Sequence, residues 1–447
     1  MEMIYKVEDR PKFGRLIVFA FQQLLAILAA TIAVPSIVGN GMTQSAALFG
    51  AGVGTLVYVL FTKAKSPVFL GSSFAFIGPM SAAFAGAVST EVGYLGLIIG
   101  ATFAGLVYVV IAIVVKLAGV AWINKLMPAV VIGPTVAIIG LSLAGNAISD
   151  SLAGAYDASA GAFVMTANVW VSLICALVTL ITVVICSVYG KKMMKLIPFI
   201  IGILAGYVVA SIFTVIGLQT GNTSLQIINF SLFNDMQWNP EFTFLTAAKG
   251  FADIDGKYIA TVAVAYIPVA FVVFAEHIAD HKNLSTIINK DLLSEPGLHR
   301  TLLGDGVGSI AGAVFGGCPN TTYGESVGCV AITGNASVVT IVTTAVMAMV
   351  ISFFGPFVTF LATIPSCVMG GVCITLYGFI AVSGLKMIQD VDLGKNRNLF
   401  VVSVILIAGI GGMTLKIGQV TLTAVACALI LGIIVNLILS GKKADEE

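Results

Sequence analysis

Fourteen apolar runs, most of them about 20 residues long, follow one another through this chain. They lie at about 14–38, 44–62, 66–87, 92–117, 126–146, 167–189, 196–217, 258–282, 300–317, 319–335, 337–362, 366–388, 398–416 and 419–440. A helix needs roughly 20 apolar residues to cross the hydrocarbon core of a bilayer. The runs are continuous rather than alternating, which argues against a membrane barrel. Only 10% of the 447 residues are charged, where a soluble domain carries about 25%. The chain therefore reads as an all-α polytopic membrane protein with 14 spans. The formal charge of +1 points to no nucleic-acid partner. The seven cysteines are odd in number and form no C-x-x-C pair, so they read as small core residues rather than disulfide or metal ligands. Met1–Lys12 is charged and carries no cleavage signal.

An even span count puts both termini on one side. Loops on that side hold most of the basic residues, from Lys6, Arg10 and Lys12 through Lys191, Lys192 and Lys195 to Lys442 and Lys443; the opposite side holds Lys249, Lys257 and Lys416. This bias predicts cytoplasmic termini in a plasma (inner) membrane. The longest polar stretches are 147–166 and 218–250. The second divides the chain into halves of seven spans, and an odd number per half makes the two halves inverted.

Each half has one anomalous run, third in its order: Ser66–Pro79 and Cys318–Gly328. Both mix Gly, hydroxyl residues, Pro and an aromatic. Unpaired backbone is not tolerated in hydrocarbon, so such pieces must lie inside protein or beside a watery cavity. Interrupted segments at corresponding positions of two halves point to a transporter binding site.

Acids far from loop ends are few. Glu325 sits in the second broken run, and Glu276 and Asp280 follow the apolar run Tyr258–Ala275, spaced to share one helix face. An ionisable group at membrane depth is a functional candidate by default. Two readings stand at Glu276: a buried group that takes up and releases protons, or a solvated acid at the end of its helix. His277 points off the acid face and His281 precedes Lys282, so neither reads as a metal ligand. There is no phosphate-binding loop and no catalytic triad signature, so neither ATP-driven pumping nor an enzyme is supported. The candidate site offers acids, hydroxyls, amides and aromatics (Phe74, Phe76, Tyr323) but no Lys or Arg. That set suits a small planar heterocycle with alternating N–H and C=O groups, and suits an inorganic anion poorly.

At these residues the sequence resembles the nucleobase–ascorbate transporter family (nucleobase:cation symporters), and within it the bacterial uracil permeases. The matching pieces are Gly71–Phe76, Ala275–His277, Asp291–His299, Pro319–Glu325, and Val368–Val372 with Tyr377. The resemblance implies two inverted seven-span repeats with spans 3 and 10 broken by short strands. It divides the chain into 14–146 (core spans 1–4 and the first gate span), 167–217 (gate spans 6–7), 244–362 (core spans 8–11) and 366–440 (gate spans 12–14). It implies a proton-coupled symporter for uracil, homodimeric in the membrane lipid, without cofactor, working by elevator-like alternating access. Alternatives are a xanthine, urate or other purine symporter and, more remotely, an anion exchanger or channel. Carried over by position, Glu276 and Glu325 would bind ring N–H groups. Backbone amides at Phe74 and Gly324 would bind carbonyl oxygens, and Ala30, Tyr323 and Tyr377 would wall the pocket. Proton coupling would fall to Glu276, Asp280 and Glu325. The chain departs from the family pattern at Gln22-Gln23, where Gln-His is usual, and at Ser326, where Asn is usual. At Asp280, uracil permeases can have His and purine-type members often have Asp.

Overall fold

The computed structural model describes residues 3–440, apart from 120, 153, 158–161, 166–167, 192 and 418–419. Three of the cations used above, Lys192, Lys442 and Lys443, lie outside the described residues. In chain order the elements are α1 (Phe13–Val38), α2 (Gln44–Phe61), β1 (Leu70–Ser72), α3 (Ile77–Ala85), α4 (Thr90–Ala118), α5 (Ala121–Leu126), α6 (Ala129–Ser142), α7 (Ala144–Leu152), β2 (Gly154–Asp157), β3 (Ala162–Met165), α8 (Val169–Tyr189), α9 (Met193–Leu196) and α10 (Pro198–Thr220). The second part holds α11 (Thr243–Ala247), α12 (Gly256–Ile288), α13 (Leu298–Gly316), β4 (Asn320–Thr322), α14 (Gly324–Thr333), α15 (Val338–Ile351), α16 (Gly355–Thr363), α17 (Ser366–Met387), α18 (Asn396–Ile410), β5 (Leu415–Ile417), β6 (Val420–Leu422) and α19 (Ala424–Leu439). Among the described residues, eight helical stretches are long and apolar enough to cross a membrane; α15 with α16, bent by 83° at their break, would make a ninth.

Helix starts follow local chemistry. The side chains of Thr43, Ser89, Asn168, Asp255 and Thr423 accept backbone N–H groups at the heads of α2, α4, α8, α12 and α19. Two groups of helices pack mainly among themselves. In one, α2 lies on α13 and α15, α1 on α15, and α4 on α12 and α13. In the other, α17 lies on α6, α7 and α8, α8 on α10, and α18 on α19 and α6.

Helices α2 and α13 pack closely, and small residues allow it. A Cβ built on Gly54 would sit 2.7 Å from the Gly308 carbonyl and 2.3 Å from Asn320 Nδ2, while one on Gly312 would fall 2.3 Å from the same amide nitrogen. The two backbones thereby come close enough to hold Asn320, whose amide donates to the Gly50 carbonyl at 3.1 Å. All seven cysteines are free and buried.

Among the described residues there are three antiparallel strand pairs. β1 pairs with β4 across the two broken runs. The other two, β2 with β3 and β5 with β6, join strands close in sequence. The stretch beginning at 147 is helical to Leu152 before turning into β2, so the span there is longer than the apolar run predicts. Likewise α18 ends at Ile410, and Leu415–Ile417 of the run 398–416 is strand.

Residues 4–9 form a strap over the loop after α14. Tyr5 bridges Asn335 in parallel, the Ala336 amide donates to the Tyr5 carbonyl at 2.9 Å, and the Val338 amide donates to the Val7 carbonyl at 3.1 Å. Glu8 accepts from Lys290 at 2.7 Å, and Lys65 pairs with Glu295 beside them. The Lys290 ammonium holds the Glu8 carboxyl below its usual value. Stabilisation from this pair is therefore present above the ordinary glutamate pKa of about 4.3 and is lost as the pH falls through the depressed one.

Two outcomes are expected. Gly54→Ala should lower stability by roughly 1–3 kcal/mol through overpacking, measured as a lower Tm of the detergent-solubilised protein. Glu8→Gln should speed amide exchange at Ala336 by no more than about fivefold at neutral pH, because exposed pairs contribute at most about 1 kcal/mol. Wild type and variant should converge in acid.

Candidate functional site

The site is built on α12, a 33-residue helix whose polar residues stand in two rows. Glu276, Asp280 and Asn283 line a cavity of about 450 Å³. His277 and His281 are fully buried on another face. There His277 Nδ1 lies 2.7 Å from Asp305 Oδ2 on α13, and its Nε2 lies 3.0 Å from Thr301 Oγ1. His281 Nε2 lies 2.7 Å from the Tyr58 hydroxyl on α2, which also meets Ser66 Oγ at 2.7 Å. The helix thus turns one row to the cavity and uses the other to fasten itself to its neighbours.

Opposite α12 the two broken runs meet. β1 and β4 are antiparallel, with Leu70 opposite Thr322, Gly71 opposite Thr321 and Ser72 opposite Asn320. The Ser73 amide continues the ladder to the Pro319 carbonyl at 2.9 Å. Each strand then runs into a helical start: a 3-10 turn at Phe74–Phe76 leading to α3, and α14 at Gly324. No side chain caps either start. First-turn N–H groups have no helical partner, so both starts offer free donors and the positive end of a helix dipole. Asp280 binds this junction directly, accepting from Thr322 Oγ1 at 2.6 Å.

Of the residues singled out from sequence, Glu276, Asp280, Gly324 and Glu325 stand together on the cavity wall, joined by Ala26 of α1 and by Leu376, Phe379 and Ser383 of α17. Phe74, Tyr323, Tyr377 and Ala30 are buried behind that wall. Tyr323 donates its hydroxyl proton to the Ser72 carbonyl at 2.8 Å, and its ring occupies the space a Cβ at Gly71 would need. Phe74 and Tyr377 meet edge to face, with centroids 5.7 Å apart. A second cavity, about 280 Å³, lies toward the C-terminal end of α1 and the N-terminal end of α17 and is lined by Ile32, Ala33, Pro35, Ser36, Ile37, Asp150, Ser366 and Met369 among others.

The two departures from the family pattern meet each other. Gln23 Nε2 donates to Ser326 Oγ at 2.5 Å, and Ser326 Oγ also accepts the Phe69 amide at 3.2 Å. A hydroxyl thus receives both donors and anchors α14 to α1 and to the strand entry.

Sequence reasoning missed three residues. Lys195 stands on the cavity rim, so the site is not free of cations as expected. It sits in a loop-like basic cluster, and only the folding of α9 against α8 and α10 brings it there. Asn283 extends the acid row by less than one turn and carries no charge to draw notice. Asp305 was the readable one: an acid inside the apolar run 300–317 is costly unless paired. Among the described residues no group of three or more His, Cys, Asp or Glu is arranged to hold a metal. The cavity presents carboxyls that accept N–H donors and the start of α14, whose backbone amides can donate to carbonyl oxygens.

Comparison with known proteins adds the following. A family profile described as "Permease family" matches residues 14–418. The chain is 40% identical over 447 residues to the uracil permease of Bacillus caldolyticus, covering 99% of this chain and 96% of that one. It is 38% identical to the uracil permease of Bacillus subtilis strain 168, covering 98% and 96%, and 34% identical to that of Escherichia coli K12, covering 97% and 93%. In three dimensions it is similar to the transmembrane domain of the cyanobacterial bicarbonate transporter BicA, with a TM-score of 0.64 at 16% identity, covering 95% and 96%. It is also similar to SLC26A9, with a TM-score of 0.60 at 12% identity, covering 96% of this chain and 66% of that one. At such identities these two likenesses speak for the fold alone.

The His277–Asp305 pair yields a prediction. Removing one partner leaves the other buried and unpaired, which costs about 3–5 kcal/mol. His277→Ala should therefore lower the Tm markedly, whereas Asp305→Asn, which keeps a hydrogen-bonding partner for the ring, should lower it less.

Proposed function

The chain belongs to the Permease family, and from that premise we propose that it is a secondary symporter that imports uracil together with protons across the plasma membrane. It is a multi-pass membrane transporter and not an enzyme. One observation carries the choice of cargo: three carboxyls, Glu276, Asp280 and Glu325, share a single cavity with the uncapped start of α14. Carboxylates want N–H donors, and free amides want carbonyl oxygens. A flat imide-like ring offers both on neighbouring atoms.

In this reading Glu276 and Glu325 accept the ring N–H groups. The backbone amides of Phe74 and Gly324 donate to the ring carbonyls. Ala30, Tyr323 and Tyr377 back the pocket, and Glu276, Asp280 and Glu325 carry the coupled proton. The fold is read as 14 spans in two inverted repeats. Segments 14–146 and 244–362 supply the core spans, with the first gate span at the end of the former; 167–217 and 366–440 supply the remaining gate spans. The two helix groups that pack among themselves support this division. Two cavities lined by opposite ends of α17, Ser366–Cys373 and Leu376–Met387, support alternating access by an elevator-like movement. The bias of basic residues supports cytoplasmic termini, and a homodimer is the assembly we expect.

A purine cargo is the second reading, favoured by Asp280, since purine-type members often carry Asp there. The fold likeness to bicarbonate and SLC26 proteins does not favour an anion, because function follows the site rather than the fold. A cavity with three carboxyls and one rim cation is poorly suited to it.

The deciding experiment is radiolabelled uptake into proteoliposomes. Uracil should accumulate with an imposed inward proton gradient and should not follow a sodium gradient; the reverse dependence overturns proton coupling. Unlabelled xanthine should compete weakly, and strong competition selects the purine reading. Glu325→Gln should reduce uptake efficiency roughly 10- to 150-fold, as expected for losing a hydrogen bond to a charged group worth about 1.5–3 kcal/mol. Uptake equal to wild type removes Glu325 from the site.

A further inference from the structure

A third cavity lies away from the transport pathway, on the outer face of the first helix group. It is a groove of about 420 Å³ between α4, α5 and α12. Its walls are Phe103, Leu106, Val107, Val110, Ile111 and Val114 of α4, with Ile267 and Phe271 of α12 and Trp122 of α5. The α4 residues recur at helical spacing over three turns, so the groove runs lengthwise along a spanning helix. Ile111 forms a buried floor, while Leu106 and Val110 are 51% and 60% exposed at the lips.

Two further observations lie toward one end. The Trp122 indole N–H is shielded from solvent and has no partner among the described residues. A shielded donor without an acceptor is unfavourable, and it asks for an oxygen from outside the chain. Beyond the end of the groove come Lys116, in the last turn of α4, and Lys125, in the last turn of α5. Lys116 acts electrostatically on His299 together with Arg300, so a cluster of cations stands at this level. Apolar groove, interfacial tryptophan and basic cluster follow one another along the expected bilayer normal.

We propose that this groove is a binding site for one acyl chain of an anionic phospholipid. The headgroup region would lie at the level of Trp122, where a glycerol-ester or phosphate oxygen accepts the indole proton and the phosphate charge is met by Lys116 and Lys125. Clusters of Lys and Arg near the bilayer surface attract anionic lipid by such means. The site has a structural position as well as a ligand. Helix α5 links α4, in one helix group, to α6, in the other, so a bound lipid wedges the joint between the two.

The test uses tryptophan fluorescence. The chain has three tryptophans, so Trp170→Phe and Trp238→Phe leave Trp122 as the sole reporter. The protein is reconstituted in vesicles of phosphatidylcholine containing increasing fractions of a lipid brominated on its acyl chains, either phosphatidylglycerol or phosphatidylcholine. Bromine quenches indole fluorescence only at contact. We expect saturable quenching with a half-maximum at a roughly fivefold or more lower fraction of phosphatidylglycerol than of phosphatidylcholine. Lys116→Gln with Lys125→Gln should erase that difference while leaving quenching by the chain. Val107→Phe, which fills the groove, should remove the saturable phase.

Two results overturn the proposal. Quenching that rises in proportion to bulk lipid, equally for both headgroups, means that Trp122 meets only the general bilayer. No quenching by either lipid means that the groove is covered by protein, as in contact with a second copy. Neither result bears on uracil uptake, which is measured separately.

Discussion

The molecule depends on how its non-helical backbone is paired at membrane depth. Leu70–Ser72 and Asn320–Thr322 have no helix of their own to satisfy their amides; they pair with one another, and Thr55 and Tyr323 bond the Leu70 and Ser72 backbone groups. That short ladder is held from behind by Asn320, clamped between α2 and α13 where glycines let the helices approach. In front it delivers the uncapped start of α14 to the cavity, while the Phe74–Phe76 turn stays buried behind the wall. If either strand slipped by one residue, Thr322 would leave Asp280 and the start of α14 would turn away from α12. Packing of small residues, strand register and placement of the acids are therefore one arrangement seen at three distances.

Helix α12 shows how charge is tolerated in such a place. Its cavity row is open to solvent and to a ligand, while its inner row is neutralised by hydrogen bonds among His277, Asp305, Thr301, His281 and Tyr58. The stacked imidazoles, with centroids 4.1 Å apart, leave one turn of helix stiffly attached to α2 and α13. The cavity carboxyls Glu276 and Asp280 thus project from a helix whose other side cannot easily turn.

Much of this was legible in sequence because hydrocarbon imposes strict rules. Continuous apolar runs marked the long apolar helices, of which eight, or nine with the bent α15–α16 pair, are long enough to cross a membrane among the described residues, and Gly, Pro and hydroxyl residues at 66–79 and 318–328 marked the places where helix must break. The i,i+4 spacing of Glu276 and Asp280 gave their shared face. What could not be read depends on tertiary approach. Lys195 belongs to a basic stretch that looks like any loop, and only the fold of α8–α10 brings it to the rim. Phe74 and Tyr377 were grouped with the acids by position, but their rings pack against one another behind the wall. The strands β5 and β6 are too short and too apolar to separate from the adjoining runs, and β2 and β3 lie in the polar stretch 147–166, where strands of four residues leave no period to read. Gln23 and Ser326 looked like two unrelated departures, and a single hydrogen bond joins them.

The burial of every cysteine has a practical consequence. A thiol-reactive reagent added from water meets no exposed native sulfur anywhere on the described surface. Cys329 and Cys373 each contribute to the wall of a cavity, the first beside Glu325 and the second beside Asp150. A single cysteine introduced elsewhere can therefore serve as a spectroscopic handle in the otherwise unaltered chain, and slow labelling of the two native thiols reports how far water reaches into the cavity each one lines.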